Sequence, residues 1–461
     1  MKIVYMCSRY LPHFKGGTES LTHLLAKGMQ DRGHTVRVAC VESTESGEDS
    51  EIRGCDDVFD DVSVHRISYR WSAQNAPFKR LTANPKIEEY LEHWLERERP
   101  DCVHVMNCFR ITSAALTAPR RLGIPLAMTL TEYWFLCPIG SLFNVAGQIC
   151  PGAEQVQVED CLTCFVGLGG TLKRIPLGRH LSPRPLAWIL ALMDRGNVSR
   201  QWVPARFAGC TQGLEERQEL LRELRKSVEV FLTLNDLEKQ FYVEHGFDGN
   251  RIRTIIPTVA AVNPSAFQKS PRQGQLRVGF IGAMVRYKGI ETLVDGFRLS
   301  GLGERASLHL WGDDQSDKDY RARLLRHMNG AANIHLHGRF DEGKLDEVFA
   351  GIDLLVIPSL TLETGPLVLF EAFARHTPSL CSNLGGMVQF VRHQENGFLF
   401  KPGDAADCAR VLREIDADES LFEHVRERAR LPQSYEEFLS EHESIYGQLT
   451  RAVVQRKGAT R

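Results

Sequence analysis

Short apolar runs alternate along the chain with longer segments in which apolar residues recur every three or four positions. The first run lies at residues 3–6, and apolar positions then recur with helical spacing over residues 21–29. Gly33 is typical of a helix end, and residues 34–40 predict the next strand. A strand, a helix and a strand in this order predict a βαβ unit in a parallel sheet.

The same alternation continues through both halves of the chain. In the first half it predicts a strand, a helix and a strand at residues 102–106, 113–122 and 125–130. In the second half it predicts a helix at 293–299 and strands at 277–282, 307–311, 334–337 and 353–358. Two doubly wound α/β halves follow, and such sheets bind ligands at the carboxyl ends of their strands.

A length of 461 residues favours two domains over one. The polar stretch at 263–275, which contains Pro264, Pro271 and Gly274, predicts the linker between them. We therefore expect an N-terminal Rossmann-like domain over residues 1–262, with an insertion at about 137–206, and a C-terminal Rossmann-like domain over 276–430. The remaining residues, 431–461, predict a helical segment that packs back on the first domain.

The composition is that of an ordinary globular protein. The chain has 56 basic and 58 acidic side chains, so its net charge indicates no polyanionic partner such as nucleic acid. No apolar run reaches the roughly 18 residues that a membrane helix needs, and the run at residues 3–6 is too short for a secretory signal. These features predict a cytoplasmic protein.

Two carboxylates eight residues apart, Glu363 and Glu371, follow the predicted strand at 353–358. A helix beginning near Gly365 directs unpaired backbone N–H groups toward the strand ends, which suits a diphosphate. Glu371 is then placed to accept hydrogen bonds from ribose hydroxyls, and Glu363 to reach the sugar. The alternative is an ordinary strand, loop and helix with capping acids. The loop and first helical turn supply the further donor-binding candidates Thr364, Gly365, Pro366, Leu367 and Val368.

The stretch at 363–371 resembles the Glu-x7-Glu motif of glycosyltransferase family 4, which belongs to the GT-B class. The turn at 282–289, ending in Lys288-Gly289, the closing segments at 378–386 and 395–399, and the loop glycines Gly16 and Gly17 resemble that family's other motifs in the same order. The resemblance implies a GT-B fold and a retaining, nucleotide-sugar-dependent transferase.

The resemblance also implies roles for particular residues. Lys288 and Glu363 correspond to catalytic positions, where a fixed lysine neutralises the charge that grows on the departing diphosphate. Further donor-binding positions are Gly16, Gly17, and the pair Gly338 and Arg339 near the base. The alternative for Lys288 is a surface lysine that follows a strand.

Two positions depart from the family pattern. Ala283 stands where the family has an arginine after the first glycine of the turn, and Arg286 is the candidate to replace that cation. Thr131 and Glu132 stand where the family has a His-Asp pair, so both become acceptor-site candidates. His104 and Asn107, at the end of a predicted strand, are further acceptor candidates by topology.

Four of the twelve cysteines are close in sequence: Cys137, Cys150, Cys161 and Cys164. The Cys-x2-Cys pair suits two bonds to one metal, and the other two complete a four-thiolate set. A structural zinc site is the first interpretation and an iron–sulfur cluster the second; the alternative is four free or partly buried thiols. No catalytic metal is expected.

A basic and apolar stretch runs from residue 172 to 206. Its arginines and lysine accompany Leu186, Trp188, Ile189 and Leu192. One interpretation is peripheral contact with an anionic membrane at the inner face, near a lipid-linked acceptor. The alternative is a core-facing helix with a solvated basic rim.

The interpretation favoured by these motifs is a retaining glycosyltransferase that moves a sugar from a nucleotide-diphosphate donor to a glycan, lipid-linked or small-molecule acceptor. The expected setting is polysaccharide or glycoconjugate biosynthesis. Two alternatives remain open: a nucleotide-sugar epimerase or phosphorylase of the same fold, and a catalytically idle scaffold that binds nucleotide.

Overall fold

A computed structural model describes residues 1–43, 51–70, 82–168, 182–195, 209–260, 274–313, 317–340 and 342–459. The chain divides into two units. The first comprises Met1–Leu234, Lys239–Ile255 and Leu439–Arg461, and the second comprises Asn235–Glu238 and Ile256–Phe438. The predicted linker at 263–275 lies outside the described residues, except for its last two positions.

An eight-stranded sheet forms the centre of the first unit, in the order β3-β4-β2-β1-β5-β6-β7-β8. Its strands are β1 (Lys2–Cys7), β2 (Thr35–Ser43), β3 (Arg53–Phe59), β4 (Val62–Ser68), β5 (Cys102–Val105), β6 (Leu126–Thr129), β7 (Val230–Thr233) and β8 (Ile252–Thr254). Strands β5, β6 and β7 are buried at every position, as expected for parallel strands covered on both faces.

One strand pair departs from the predicted parallel pattern. β3 pairs antiparallel with β4, and Phe59 lies opposite Val62 across a two-residue turn. Asp60 and Asp61 both have positive φ values, 46° and 62°, which is the geometry of a tight hairpin turn. The sequence analysis did not predict β3 because most of its side chains are exposed.

The described helices of the first unit are α1 (Gly17–Asp31), α2 (Pro85–Glu98), α3 (Ala114–Arg121), α4 (Val158–Leu168), α5 (Pro183–Arg195) and α6 (Cys210–Leu224). Helices α7 (Asp236–Glu244) and α15 (Tyr435–Ala459) belong to this unit from Lys239 and Leu439 onward. Tyr446 of α15 is fully buried. Its hydroxyl lies 3.1 Å from the Tyr5 hydroxyl and 2.7 Å from His104 Nδ1, so the last helix completes the core of the first unit.

A six-stranded parallel sheet, in the order β11-β10-β9-β12-β13-β14, forms the centre of the second unit. Its strands are β9 (Leu276–Ile281), β10 (Ala306–Trp311), β11 (Ile334–Gly338), β12 (Leu354–Ile357), β13 (Ser379–Ser382) and β14 (Phe398–Phe400). The described helices of this unit are α8 (Ile290–Leu299), α9 (Lys318–Met328), α10 (Leu345–Ala350), α11 (Leu367–Ala374), α12 (Met387–Phe390), α13 (Ala405–Ala417) and α14 (Glu419–Arg428).

Both faces of this second sheet are packed. Along β12, Leu354 and Val356 join one apolar cluster, whereas Leu355 and Ile357 join the cluster on the opposite face. Alternation of this kind is what a strand with two buried faces requires. The predicted α/β fold class, with two Rossmann-like sheets, is confirmed.

Strand order locates a topological switch point in each sheet. In the second unit the chain moves outward from β9 to β10 and β11 on one side, and from β12 to β13 and β14 on the other. In the first unit the corresponding neighbours are β1 and β5. Loops that leave two such strands diverge, and the crevice between them is where doubly wound folds bind ligands.

The helices of the described residues include none that combines the length and the apolar character needed to cross a membrane.

Candidate active site

Two loops meet at the switch point of the second unit. The first follows β9 and contains a short 3₁₀ turn, Arg286–Lys288; the second joins β12 to α11 and contains Glu363. Leu360 N donates a hydrogen bond to Tyr287 O at 2.8 Å, which joins the two loops directly.

A glycine permits this close approach. Gly289 has a φ of +68°, and a Cβ built on it would lie 1.9 Å from Pro358 O at the end of β12. Only glycine combines that backbone conformation with that contact. On the other side, Gly386 N donates to Glu363 O at 3.0 Å. The backbone around Glu363 is therefore held from two directions.

The structure brings Lys288 and Glu363, 75 positions apart, into one ion pair. Lys288 Nζ lies 2.7 Å from Glu363 Oε1, and the same oxygen accepts a hydrogen bond from Ser359 Oγ at 2.6 Å. Burial alone lowers the pKa of Lys288, but the Glu363 carboxylate outweighs that effect and raises the pKa above its usual value. Lys288 is therefore a fixed cation at neutral pH.

Glu371 lies on α11, which begins at Leu367, two residues after Gly365, near which its start was predicted. Its carboxylate pairs with Arg375 one turn later. Arg375 is buried and also binds Asp346, with Nε 2.8 Å from Asp346 Oδ1. This arrangement fixes the orientation of Glu371 in the first two turns of the helix.

The other donor-binding candidates surround the same strand ends. Arg286 is exposed on the turn that carries Lys288. Gly338 ends β11 and Gly338 O accepts from Gly312 N at 2.9 Å, while the exposed Arg339 pairs with Asp313. Thr364 is buried and its carbonyl accepts from Asn235 Nδ2. Gly365, Pro366, Leu367 and Val368 are half-buried at the start of α11, where the first N–H groups of a helix lack intrahelical partners.

In the first unit, α1 begins at Gly17 with Gly16 as its N-cap, directly after the loop that leaves β1. Thr131 follows β6; its hydroxyl donates to Met106 O at 2.8 Å and accepts from Thr18 Oγ1 at 3.0 Å. Asn107 is buried, and its Oδ1 accepts from Ser8 N at 2.5 Å.

His104 occupies the core rather than a crevice. It is fully buried, with Nδ1 bonded to Tyr446 and Nε2 lying 2.8 Å from Thr129 Oγ1. Both ring nitrogens are thus occupied, which leaves none for an acceptor and indicates a structural role.

Glu132, the acidic residue among the acceptor candidates, has a shifted carboxyl pKa. Its Oε1 is buried without a hydrogen-bond partner among the described residues. Burial, and to a smaller extent the nearby Glu19, raise the pKa of Glu132 to about 8. Glu132 is therefore mostly protonated at neutral pH.

Two family models match the chain. The model described as glycosyl transferases group 1 matches residues 263–431, and the model described as glycosyl transferase 4-like domain matches residues 16–149. Together they cover about two thirds of the 461 residues. The chain belongs to the family-4-like GT-B glycosyltransferases.

Individual relatives and solved structures resemble this glycosyltransferase. The lipopolysaccharide core biosynthesis glycosyltransferase LpsE of Rhizobium meliloti is 28% identical over 177 residues, which is 38% of this chain and 46% of that protein. The match therefore spans less than half of that relative's length. Sucrose-phosphate synthase from Thermosynechococcus elongatus superimposes with a TM-score of 0.64 at 17% identity, covering 98% of this chain and 99% of that one. HepE of Anabaena, which was solved with UDP-glucose, superimposes with a TM-score of 0.59 at 14% identity, and both chains are fully covered. At these identities the two structures show the shared fold alone.

The predicted metal site of this glycosyltransferase is not supported. Among the residues that the structure describes, no group of three or more histidine, cysteine or acidic side chains is placed to hold a metal ion, and Cys137, Cys150, Cys161 and Cys164 are all free thiols. Burial first, and then the neighbouring Cys137, raise the pKa of Cys161 to about 12 in the metal-free protein.

The physical reason is that this insertion has an apolar core of its own. Cys161 packs with Leu162, Val166, Ala187 and Leu190 of α4 and α5. The described part of the insertion therefore buries apolar side chains of its own. Burial of Cys161 among apolar side chains is ordinary for a free cysteine.

Sequence reasoning missed two residues that orient the candidate groups of the glycosyltransferase. Ser359 is fully buried and bonds Glu363, and Arg375 holds Glu371. Both residues could have been found from the sequence. Ser359 is a polar residue at the carboxyl end of an apolar strand. Arg375 lies four positions after Glu371, a spacing that places two side chains next to each other on a helix.

Proposed function

We propose that this glycosyltransferase binds a nucleotide-diphosphate sugar through its second unit and transfers the sugar with retention of configuration to an acceptor bound by the first. The observation that carries the proposal is the ion pair between Lys288 and Glu363 at the switch point, beside the start of α11. A lysine held charged at this position suits a leaving diphosphate. Membership of the family supports retention.

Each group in the second unit then has a distinct task. As the bond from the sugar to the diphosphate breaks, negative charge on the leaving group is stabilised by Lys288, by Arg286 and by the N–H groups at the start of α11. Glu363 accepts hydrogen bonds from sugar hydroxyls, and Glu371 accepts them from the ribose. Gly338 and Arg339 contact the base. The acceptor is a glycan, a lipid-linked sugar or a small molecule, in polysaccharide or glycoconjugate biosynthesis.

A panel of nucleoside diphosphates tests donor binding. We expect one of UDP, GDP and ADP to raise the midpoint of thermal unfolding, with UDP first because the structurally similar HepE was solved with UDP-glucose. Ligand at 100 times its dissociation constant stabilises a folded protein by about 2.7 kcal/mol, which is readily measured by differential scanning fluorimetry.

Incubation with the corresponding nucleotide sugar, followed by NMR of the sugar, separates the alternatives. Transfer to water or acceptor with the anomeric configuration kept supports the retaining transferase. A changed sugar without any acceptor identifies an epimerase, and nucleotide binding with no turnover identifies a scaffold. The proposal fails if none of the nucleoside diphosphates shifts the unfolding midpoint.

We also propose that α5 contacts an anionic membrane. Its outer face exposes Trp188, Ile189 and Leu192, which are 41%, 53% and 64% exposed, and Arg184 lies exposed at its start. An aromatic and aliphatic face flanked by arginine is typical of a helix that lies in a membrane surface. The other basic residues of the predicted surface, Lys173, Arg174, Arg179, Arg200 and Arg206, lie outside the described residues.

Replacing Ile189 and Leu192 with serine is expected to abolish most binding to vesicles of phosphatidylcholine and phosphatidylglycerol, because the replacements remove most of the apolar face. Sedimentation with the vesicles measures the fraction of protein that is bound. Val58→Ser serves as the matched control, since Val58 is 63% exposed on β3. Equal sedimentation of the wild type and the double variant would contradict the membrane proposal.

A further inference from the structure

Four aromatic rings stack on one face of the six-stranded sheet, at the edge formed by β10 and β11. This ring stack consists of His309 and Trp311 of β10 and of His335 and His337 of β11. Ring centroids lie 4.6 Å apart for Trp311 and His337, and 4.8 Å apart for His309 and His335. His335 and His337 are exposed, so protons reach the stack directly from solvent. The proposed mechanism uses none of the four rings.

The ring stack holds a β-bulge at the end of β11. The register between β10 and β11 shifts just before Trp311, which pairs with Gly338, so His337 is an extra residue on its strand. A bulge interrupts the ladder of hydrogen bonds and redirects the bulged side chain. The His337 ring lies nearly parallel to Trp311, with planes 11° apart, and its Nε2 is 3.0 Å from His309 Nδ1. These contacts set the position of His337, which directly precedes Gly338 and Arg339.

The contact between His309 and His337 depends on protonation. It uses one N–H donor and one nitrogen lone pair, so at least one of the two rings must be neutral. On its other side, His309 Nε2 lies 3.0 Å from Ser307 Oγ. If both rings are protonated, two N–H groups of like charge face each other, and the contact is lost.

The surroundings of the ring stack oppose its protonation. Burial first, and then the neighbouring histidines and Arg277, lower the pKa of His309 to about 4. Burial, and then His335, also lower the pKa of His337. A charge on any one of these rings therefore makes protonation of the next ring harder.

Two carboxylates near these strands already bind arginines. Asp353 Oδ1 lies 2.7 Å from Nη2 of Arg277, which is on the adjacent strand β9. Asp313, two residues after Trp311, pairs with Arg339. Because these acids are engaged with arginines, protons that enter the ring stack add repulsion between like charges.

We propose that the ring stack positions Gly338 and Arg339 and releases them when its histidines are protonated. Loss of the ring contacts frees the bulged His337, and the two residues that follow it lose their fixed starting point. The pH-sensitive contact itself stands on the geometry of the second unit. Its effect on nucleotide binding rests on the proposed function, in which Gly338 and Arg339 contact the base.

The direction of the pH effect on stability follows from His309. Histidine in an unfolded chain has a pKa of about 6.5, which is higher than the pKa of His309 in the folded protein. The unfolded state therefore binds more protons as the pH falls. The contribution of the ring stack to stability is complete above about pH 6.5 and is lost progressively toward about pH 4.

His309→Phe tests this claim, because phenylalanine keeps a flat ring in the stack and cannot take up a proton. Scanning calorimetry at about pH 7.5 and about pH 5 measures how far acidification lowers the unfolding midpoint. We expect the variant to lose at least about 3 °C less than the wild type, since the midpoint of a domain of this size moves by a few degrees when one interaction is lost.

His337→Phe tests the same claim at the exposed side of the ring stack, and it decides the question if the His309 variant does not fold. His93→Phe is the matched control, since His93 is an exposed histidine of α2 in the first unit. It should lose as much stability on acidification as the wild type. The proposal is overturned if the wild type and both stack variants lose equally, or if His93→Phe reduces the loss to the same extent.

UDP is the probe for the effect on nucleotide binding, measured by titration calorimetry at about pH 7.5 and about pH 5.5. UDP itself gains a proton in this range, so His337→Phe serves as the reference. We expect wild-type affinity to fall by at least about fivefold more than that of the variant. An equal fall in both proteins overturns the coupling to Gly338 and Arg339. UDP that binds at neither pH contradicts the donor proposal, and the unfolding measurements still decide whether the ring stack responds to pH.

Discussion

Lys288→Ala is expected to slow sugar transfer by about 100-fold to 1000-fold, with a much smaller change in donor affinity. Removal of one preorganised charge from a site where charge develops costs roughly 2.7–4 kcal/mol of barrier. Lys288 is held for this purpose by Glu363, which itself keeps the Ser359 hydrogen bond when the lysine is removed. Single-turnover measurements with saturating donor give the rate of the chemical step.

Lys401→Ala is the control for this prediction. Lys401 is a lysine of the same unit, 76% exposed and paired only loosely with Asp404 at 3.7 Å. Its replacement should leave the rate unchanged. A Lys288→Ala enzyme that transfers at the wild-type rate would remove this lysine from the mechanism.

Glu371→Ala is expected to raise the donor KM by about tenfold to hundredfold, while kcat changes much less. The predicted loss is that of hydrogen bonds between ribose hydroxyls and a charged carboxylate, worth roughly 1.5–3 kcal/mol. Because these bonds exist before and during bond breaking, they affect binding more than the chemical step. Initial rates over a range of donor concentrations separate the two constants.

Glu371→Ala is a suitable test because it does not leave the buried charge of Arg375 without a carboxylate partner. Arg375 loses Glu371 but keeps Asp346, whose Oδ1 lies 2.5 Å from Nη2. Glu414→Ala is a suitable control, since Glu414 makes the same i,i+4 contact with an arginine, Arg410, on the exposed face of α13. A Glu371→Ala enzyme with unchanged KM would contradict the assignment to the ribose.

The type and approximate position of many strands, and the family membership, could be predicted because both depend on local patterns. Runs such as the one at β9 are mostly apolar and are flanked by Gly274 and Gly282, so their type and position follow from the sequence. The closeness of Lys288 and Glu363 also follows, since each comes just after a parallel strand and those ends share one edge of the sheet.

Contacts between distant segments could not be predicted. His104 was an acceptor candidate because it ends a strand, yet its environment is set by Tyr446, 342 residues later, which no local pattern reveals. The cysteines illustrate a second limit. Spacing alone does not distinguish thiols that converge on a metal from thiols such as Cys161 that fill an apolar core.

The position of Tyr446 has a consequence for the way a cell makes this enzyme. Domains of a nascent chain generally fold in the order of synthesis, the N-terminal one first. Here the core around Tyr5 and His104 stays open until residues beyond Phe438 have left the ribosome, by which time the whole of the second unit has been made. The half of the protein that is translated first is therefore the last to finish folding, and its uncovered strands depend on protection from aggregation throughout that interval.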